Sequence, residues 1–282
     1  HVTPLETPLR KDDRRKRLNY AKMGPIKSGN SSIKDLGLAI DWKTRRQQIA
    51  WWDHKPFYLG RFHRYNARQR RKKGSSKPLT KGHTEKFAPK FMVFGLMSYK
   101  GCLGYFHITR RKTKRRSKMK SGLMKNKYLF QHPNVDQTEV ILGAKSFIPK
   151  LKEWGIKLII GDCDSKLHHS RLEKIFKEEG IHLYEGSGKM TGSHEGGYPP
   201  RSHDCNPDES WFTGWQNNAA DYMKERKDNM TNWKEALDIT CATFPKAKLR
   251  KLIDTQQKVM DAIIAKNNAI PLPNDFHGIL KP

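Results

Sequence analysis

Three acidic residues stand at positions where a folded chain often presents carboxylates for chemistry. Asp53 closes a predicted strand over residues 48–53, Asp162 follows the apolar run at 158–160, and Glu209 opens a predicted helix. Mg²⁺ prefers carboxylate oxygens, and two such ions about 3.5–4 Å apart activate the attacking oxygen and stabilise the leaving one in phosphodiester cleavage. If the fold brings these acids together, the pattern indicates metal-dependent cleavage of phosphodiesters.

Each of these acids also has a purely structural interpretation. An acid in the first turn of a helix, such as Glu209, complements the helix dipole without any catalytic role. Asp164 or Ser165 is placed to cap the helix predicted over residues 167–179. Asp162 is different, because it lies on the strand and not at the cap.

The elements that must position these acids follow an α/β pattern. The run Leu158-Ile159-Ile160 is apolar throughout, as in a central strand that is covered on both faces, and ligands of such sheets lie at the carboxyl ends of strands. Lys55-Pro56 interrupts the first strand, and extended structure resumes at 57–59, which predicts a hairpin. The remaining predicted elements are a hairpin of strands 91–98 and 103–108, a helix over 136–154, a strand near 181–183, a helix from Glu209 through Tyr222, and two C-terminal helices to about residue 267 separated by Pro245.

The charge balance predicts a polyanionic partner. Lys and Arg number 56 against 28 Asp and Glu, a net charge of +28, and nucleic acid is the usual partner of such a chain. No apolar run approaches the ~18 residues of a membrane-spanning helix. A basic segment at 61–73 is interleaved with aromatic residues that can stack on bases. A second at 110–120 has no apolar period and predicts an irregular loop that follows phosphates, although charge runs are often only solvated surface. The candidate DNA-binding residues are Arg64, Arg68, Arg70, Arg71, Lys72, Lys73, Arg110, Arg111, Lys112, Lys114, Arg115, Arg116 and Lys118.

The four cysteines are scattered and form no C-x-x-C pair, which argues against a disulfide framework and for a reducing interior. A zinc site is an alternative reading of a group of possible ligands that lacks the tight paired spacing of structural zinc sites. Its members are Cys163, His168, His169, His203 and Cys205.

Three segments resemble the motifs of mariner-type transposases, including the plant branch. The block from Asp53 to Phe57 resembles their Asp-Glu-Lys-x-Phe block, and Asp162 to Lys166 is similar to Asp-Asn-Asp-Pro-Lys. The stretch 199–209 resembles Pro-Pro-x-Ser-Pro-Asp-Leu-Asn-Pro-x-Glu, the most specific of the three.

The resemblance implies an α/β fold of the RNase H-like type, a mixed β-sheet flanked by helices with basic loop insertions. It also implies a metal-dependent DNA transposase and endonuclease that uses two Mg²⁺ or Mn²⁺ ions for cleavage and strand transfer. Carried over by position, Asp53, Asp162 and Glu209 are the catalytic metal ligands. Asp164 is the rival of Asp162, but counting from Asp162 places Leu172 and Phe176 at apolar positions of the family's helix. The implied partners are double-stranded DNA, both terminal repeats and target, and a second copy of the chain in a paired-end complex, with the nucleus as location.

The resemblance also predicts a division of the chain. Residues 1–35 are expected to be a basic linker and helix that follows an absent DNA-binding region, 36–230 the catalytic core, and 231–282 C-terminal helices packed on that core. Two alternatives remain: a domesticated DNA-binding protein without catalysis, and a related RNase H-like nuclease.

Overall fold

The computed structural model describes residues 11–27, 36–58, 90–107, 113–118, 124–129, 137–161, 170–184, 197–199 and 202–265. The helices are α1 (Lys11–Met23), α2 (Trp42–Arg45), α3 (Gln137–Glu153), α4 (Ser170–Glu178), α5 (Asp208–Tyr222), α6 (Met230–Ala242) and α7 (Lys246–Ala265). The strands are β1 (Ile49–Tyr58), β2 (Lys90–Ser98), β3 (Cys102–His107), β4 (Thr113–Lys118), β5 (Met124–Leu129), β6 (Leu158–Gly161) and β7 (His182–Tyr184). None of the helices among these residues is long and apolar enough to cross a membrane.

Five strands form one mixed sheet in the order β3-β2-β1-β6-β7. The first three are antiparallel neighbours, whereas β6 and β7 run parallel to β1. The connection β2–β3 is a tight turn in which the Ser98 amide donates to the Gly101 carbonyl at 2.8 Å. Parallel neighbours need long crossovers, and α3 and α4 precede β6 and β7 as such connections. The predicted α/β fold is confirmed.

Strand β1 corrects one prediction. The sequence predicted a break at Pro56 and a hairpin, but β1 is a single strand that pairs with β2 from Ala50 to Tyr58. Its pairing with β6 covers only Ile49 to Trp52. Among the described residues, the parallel pairing with β6 ends four residues before Pro56, and a strand tolerates proline where its missing N–H is not needed for a ladder bond.

The alternation of side chains along β1 divides the core into two layers. Trp51 and Phe57 are buried on one face together with residues of α1, α5, α6 and α7. Trp52 is buried on the opposite face with residues of α3 and α4. The sheet is thus covered on both faces, as the apolar run in β6 predicted.

The basic segment around β4 corrects a second prediction. The sequence predicted an irregular loop over 110–120, but Thr113–Lys118 is a strand that pairs antiparallel with Met124–Leu129. This pair forms a sheet of its own, separate from the five-stranded one. The prediction failed because it required an apolar period. The residues of β4 are all polar, and backbone groups alone make the ladder that pairs it with β5.

Candidate active site

Asp53 lies on β1 just after the strand's parallel pairing ends. The last parallel pair is Trp52 with Gly161, so Asp53 is the first residue beyond it. Alternation places the Asp53 side chain on the face of Trp51 and Phe57, toward α5. Asp53 is 6% exposed, and its Oδ1 accepts a hydrogen bond from the backbone N–H of His54 at 2.7 Å. The carboxylate is therefore buried at a sheet position that faces a helix.

Glu209 is the second residue of that helix, α5. Pro207 precedes the helix in a helical backbone conformation, and the Asn206 side chain accepts a hydrogen bond from the Asp208 N–H at 3.1 Å. Helix α5 packs against β1 and β2, and the Trp215 indole donates to the Leu237 carbonyl of α6 at 2.9 Å. These contacts hold the start of α5 over the sheet face that carries Asp53.

Two glycines explain how α5 comes so close to the sheet. Gly95 is the partner of Asp53 on β2, and Gly104 is the partner of Gly95 on β3. A Cβ on Gly95 would lie 2.7 Å from the Phe212 ring, and one on Gly104 would lie 2.5 Å from the Trp215 ring. Asp53, Gly95 and Gly104 therefore lie side by side on three neighbouring strands, and the two glycines leave a trough without side chains next to Asp53. The stacked rings of Trp211, Phe212 and Trp215 occupy it.

Lys55 connects the strand to the helix. It lies two residues after Asp53, so it shares the same face of β1. Its Nζ is 2.6 Å from Oε2 of Glu209, and the two side chains are 30% and 32% exposed. Asp53 and Glu209 are therefore brought to one face of the sheet, with an ammonium group beside the second carboxylate. The sequence analysis did not select Lys55, although the period of two from Asp53 along the strand is a signal that finds it.

The turn before α5 is held by a buried ion pair. Arg17 on α1 donates through both Nη1 and Nη2 to the carboxylate of Asp204, five residues before Glu209. Arg17 is 3% exposed and Asp204 is 25% exposed. The Tyr198 hydroxyl donates to the Ser202 carbonyl at 2.9 Å, and the Tyr198 ring lies edge-on to that of Tyr20. The sequence analysis missed Arg17, since no local pattern marks its distant partner.

The pKa values around this turn reflect burial. Burial raises the pKa of the Cys205 thiol well above its ordinary value, and the nearby Asp204 charge raises it further. Burial likewise raises the pKa of the Tyr20 hydroxyl. A neutral, fully buried thiol at Cys205 is what a core position requires.

Several predicted site residues lie outside the described residues. These are Asp162, Asp164, Arg64, Arg68, Arg70, Arg71, Lys72, Lys73, Arg110, Arg111 and Lys112, together with Cys163, His168 and His169 of the zinc alternative. Lys114, Arg115, Arg116 and Lys118 lie on the ribbon strand β4. The placement of Asp53 and Glu209 on one face is thus the part of the predicted triad for which the structure gives a geometry.

The donor set fits hard divalent cations. Within the described ranges, no group of three or more His, Cys, Asp or Glu side chains is arranged to hold a metal ion. Those ranges include two of the three predicted acids. Both are carboxylates, the ligands that Mg²⁺ and Mn²⁺ prefer, and one already has a cationic group within 2.6 Å.

The fold is similar to that of solved Mos1 transposase structures. A Mos1 paired-end complex with the left transposon end matches with a TM-score of 0.58 and 14% identity over 95% of this chain and 65% of the other. The Mos1 strand transfer complex matches with a TM-score of 0.59 and 13% identity, over 96% and 66%. The catalytic domain of Mos1 mariner transposase matches with a TM-score of 0.55 and 12% identity, over 94% and 98%.

The matches define what part of those proteins the chain resembles. It spans about two thirds of the transposase chains in the complexes and nearly the whole of the isolated catalytic domain. Matching Mos1 structures include complexes with Mn and with Mg. The chain matches no protein-family model and no curated protein sequence. This chain therefore has the fold of the mariner transposase catalytic domain, an RNase H-like fold.

Proposed function

We propose that this chain is the catalytic part of a mariner-type DNA transposase, which cleaves DNA at transposon ends and joins the ends to a target. The observation that carries the proposal is the placement of Asp53 and Glu209 on one face of an RNase H-like sheet. Cleavage of phosphodiesters by two divalent ions requires such converging carboxylates.

Asp53, Asp162 and Glu209 are the proposed ligands of two Mg²⁺ or Mn²⁺ ions. When bound, these ions supply activation of the attacking oxygen and charge stabilisation of the leaving one. The chain holds Asp53 by the sheet ladder and by the His54 N–H. It holds Glu209 by the packing of α5 against the glycine trough. Asp162 is assigned because it directly follows Gly161, whose partner Trp52 directly precedes Asp53.

The proposed partner is double-stranded DNA, as terminal repeats and as target. The net charge of +28 supports strong, salt-dependent attraction to phosphates. A homodimer in a paired-end complex and a nuclear location complete the proposal. Both follow from the resemblance of the motifs and not from a contact within this chain.

The test is a cleavage and strand-transfer assay. Its substrates are duplexes that carry the candidate terminal repeats flanking the gene, with Mg²⁺ or Mn²⁺. Asp53→Asn and Glu209→Gln should abolish both reactions while DNA binding is retained, because each removes a negative charge from the site. Matched controls are Asp221→Asn in the last turn of α5 and Glu225→Gln in the turn that follows the helix, both exposed, and these should cleave at the wild-type rate. DNA binding without any cleavage by the wild-type chain would instead support the non-catalytic DNA-binding alternative.

A further inference from the structure

We propose that Lys55 competes with divalent cations for Glu209, and that DNA phosphates release it, so that DNA binding and metal binding are coupled through this side chain. The inference rests on the proposed function, because it concerns the same carboxylate. Its starting point is the contact of 2.6 Å between Lys55 Nζ and Glu209 Oε2.

The sheet fixes the backbone of Lys55, so that its side chain lies next to Glu209. Lys55 is a member of the continuous ladder, paired with Val93 on β2. Its Nζ also lies 5.9 Å from the centre of the Phe212 ring, one helical turn after Glu209. The ammonium is thus held between a carboxylate and an aromatic face, both presented by α5 and both attractive to a cation.

An ammonium and a divalent ion cannot share this carboxylate without cost. A lysine side chain donates hydrogen bonds to the same oxygens that a metal ion would bind, and two cations a few ångströms apart repel each other. With Lys55 in place, the metal affinity of the site is therefore lower than the carboxylates alone would give. Removing the positive charge of Lys55 should therefore raise the metal affinity of the site.

The ion pair between Lys55 and Glu209 is weak enough to break. Both partners are about one third exposed, and ion pairs of that exposure add little to stability because solvent screens them. A DNA phosphate that enters the site offers the ammonium another anion. Lys55 can then leave Glu209 to the metal, so DNA binding raises metal affinity, and by linkage metal raises DNA affinity by the same factor.

The experiment measures Mn²⁺ binding by calorimetry to the full chain, with and without a short duplex of arbitrary sequence. Lys55→Met removes the charge and keeps the stem, Lys55→Arg keeps the charge, and Lys100→Met is a matched control at the β2–β3 turn. Without DNA, K55M should bind Mn²⁺ about threefold to tenfold more tightly than wild type, as expected for one charge removed from a partly exposed site. K55R and K100M should bind as wild type does. Duplex DNA should tighten Mn²⁺ binding to wild type and change it less in K55M.

The outcomes separate this inference from the proposed function. Unchanged or weaker Mn²⁺ binding by K55M, in a chain where wild type binds Mn²⁺ and Asp53→Asn weakens it, overturns the role of Lys55 and leaves the metal site standing. Absence of Mn²⁺ binding by folded wild type and K55M, with and without DNA, overturns the proposed function and this inference with it. An equal gain from DNA in wild type and K55M refutes the coupling alone.

Discussion

The buried pair between Arg17 and Asp204 gives the largest stability effect that we predict. Arg17→Met keeps the aliphatic stem that packs in the core but removes the guanidinium that both Asp204 oxygens contact. Removing one partner of a buried ion pair typically costs about 3–5 kcal/mol. Because Asp204 is 25% exposed and can be hydrated, Arg17→Met should cost about 2–3 kcal/mol, below that range. Asp204→Ala leaves the charge of Arg17, only 3% exposed, without its partner and should cost about 3–5 kcal/mol.

Urea denaturation at equilibrium measures these changes, provided that the slope with urea stays the same in all variants. The double variant should cost less than the sum of the two single ones, with a coupling energy of about 0.5–3 kcal/mol for groups in contact. Arg15→Met is the control on the same helix. Arg15 and Asp12 form a pair that is 74% and 81% exposed, so its loss should change stability by less than about 0.5 kcal/mol. Equal effects of Arg17→Met and Arg15→Met would refute the reasoning.

Three further predictions concern the glycine trough, the stability of the protein at alkaline pH, and DNA binding by the basic residues around β4. Gly95→Ala should lower the free energy of unfolding by about 1–3 kcal/mol and abolish cleavage, because its Cβ would meet the Phe212 ring at 2.7 Å. Gly214→Ala on α5, with its nearest atom at 3.3 Å and a helix position where alanine is favoured over glycine by about 0.5–1 kcal/mol, should cost less than Gly95→Ala in urea denaturation. Burial raises the pKa of Cys205 and Tyr20 above the ordinary 9.0 and 10.0, so the unfolded chain releases these protons first. The free energy of unfolding should therefore fall above about pH 9, by up to ~1.4 kcal/mol per pH unit for each group, and denaturation that is identical at pH 8 and pH 10 would contradict this. Alanine at Lys112, Arg115, Arg116 and Lys118 should reduce the salt slope of duplex binding by about 0.9 per lost phosphate contact, whereas alanine at the exposed Lys145, Lys152, Lys174 and Lys177 should not.

The sequence predicted those helices and strands that are determined by the pattern of neighbouring residues. The apolar run of β6 and the apolar spacing in α3 and α4 predicted their type and order, and the helix start at Asp208–Glu209 was read from the turn residues before it. The break at Pro56 was predicted wrongly for a physical reason. Proline weakens a strand only where its missing N–H would have paired, and the sequence does not reveal which side of a strand stays open.

The contacts between residues far apart in the sequence were not predictable. Lys55 is 154 positions from Glu209, and Arg17 is 187 positions from Asp204. The period of two from Asp53 points to Lys55 but does not identify Glu209 as its partner, and no local pattern marks Arg17. The ribbon strand β4 was missed for another reason, because all six of its residues are polar and show no hydrophobic period in the sequence.

The packing of helix α1 stabilises the sheet face that carries Asp53. Its Tyr20 is 1% exposed in the same core cluster as Trp211 and Trp215 of α5, and its Arg17 holds the turn five residues before Glu209. A change that undocks α1 would leave the charge of Asp204 unpaired and free the turn from which α5 begins. The position of Glu209 relative to Asp53 depends on that turn as well as on the glycine trough, because the rings in the trough begin only at Trp211, two residues after Glu209. Loss of α1 docking should therefore displace the Glu209 carboxylate while the strand pairing of the sheet is kept.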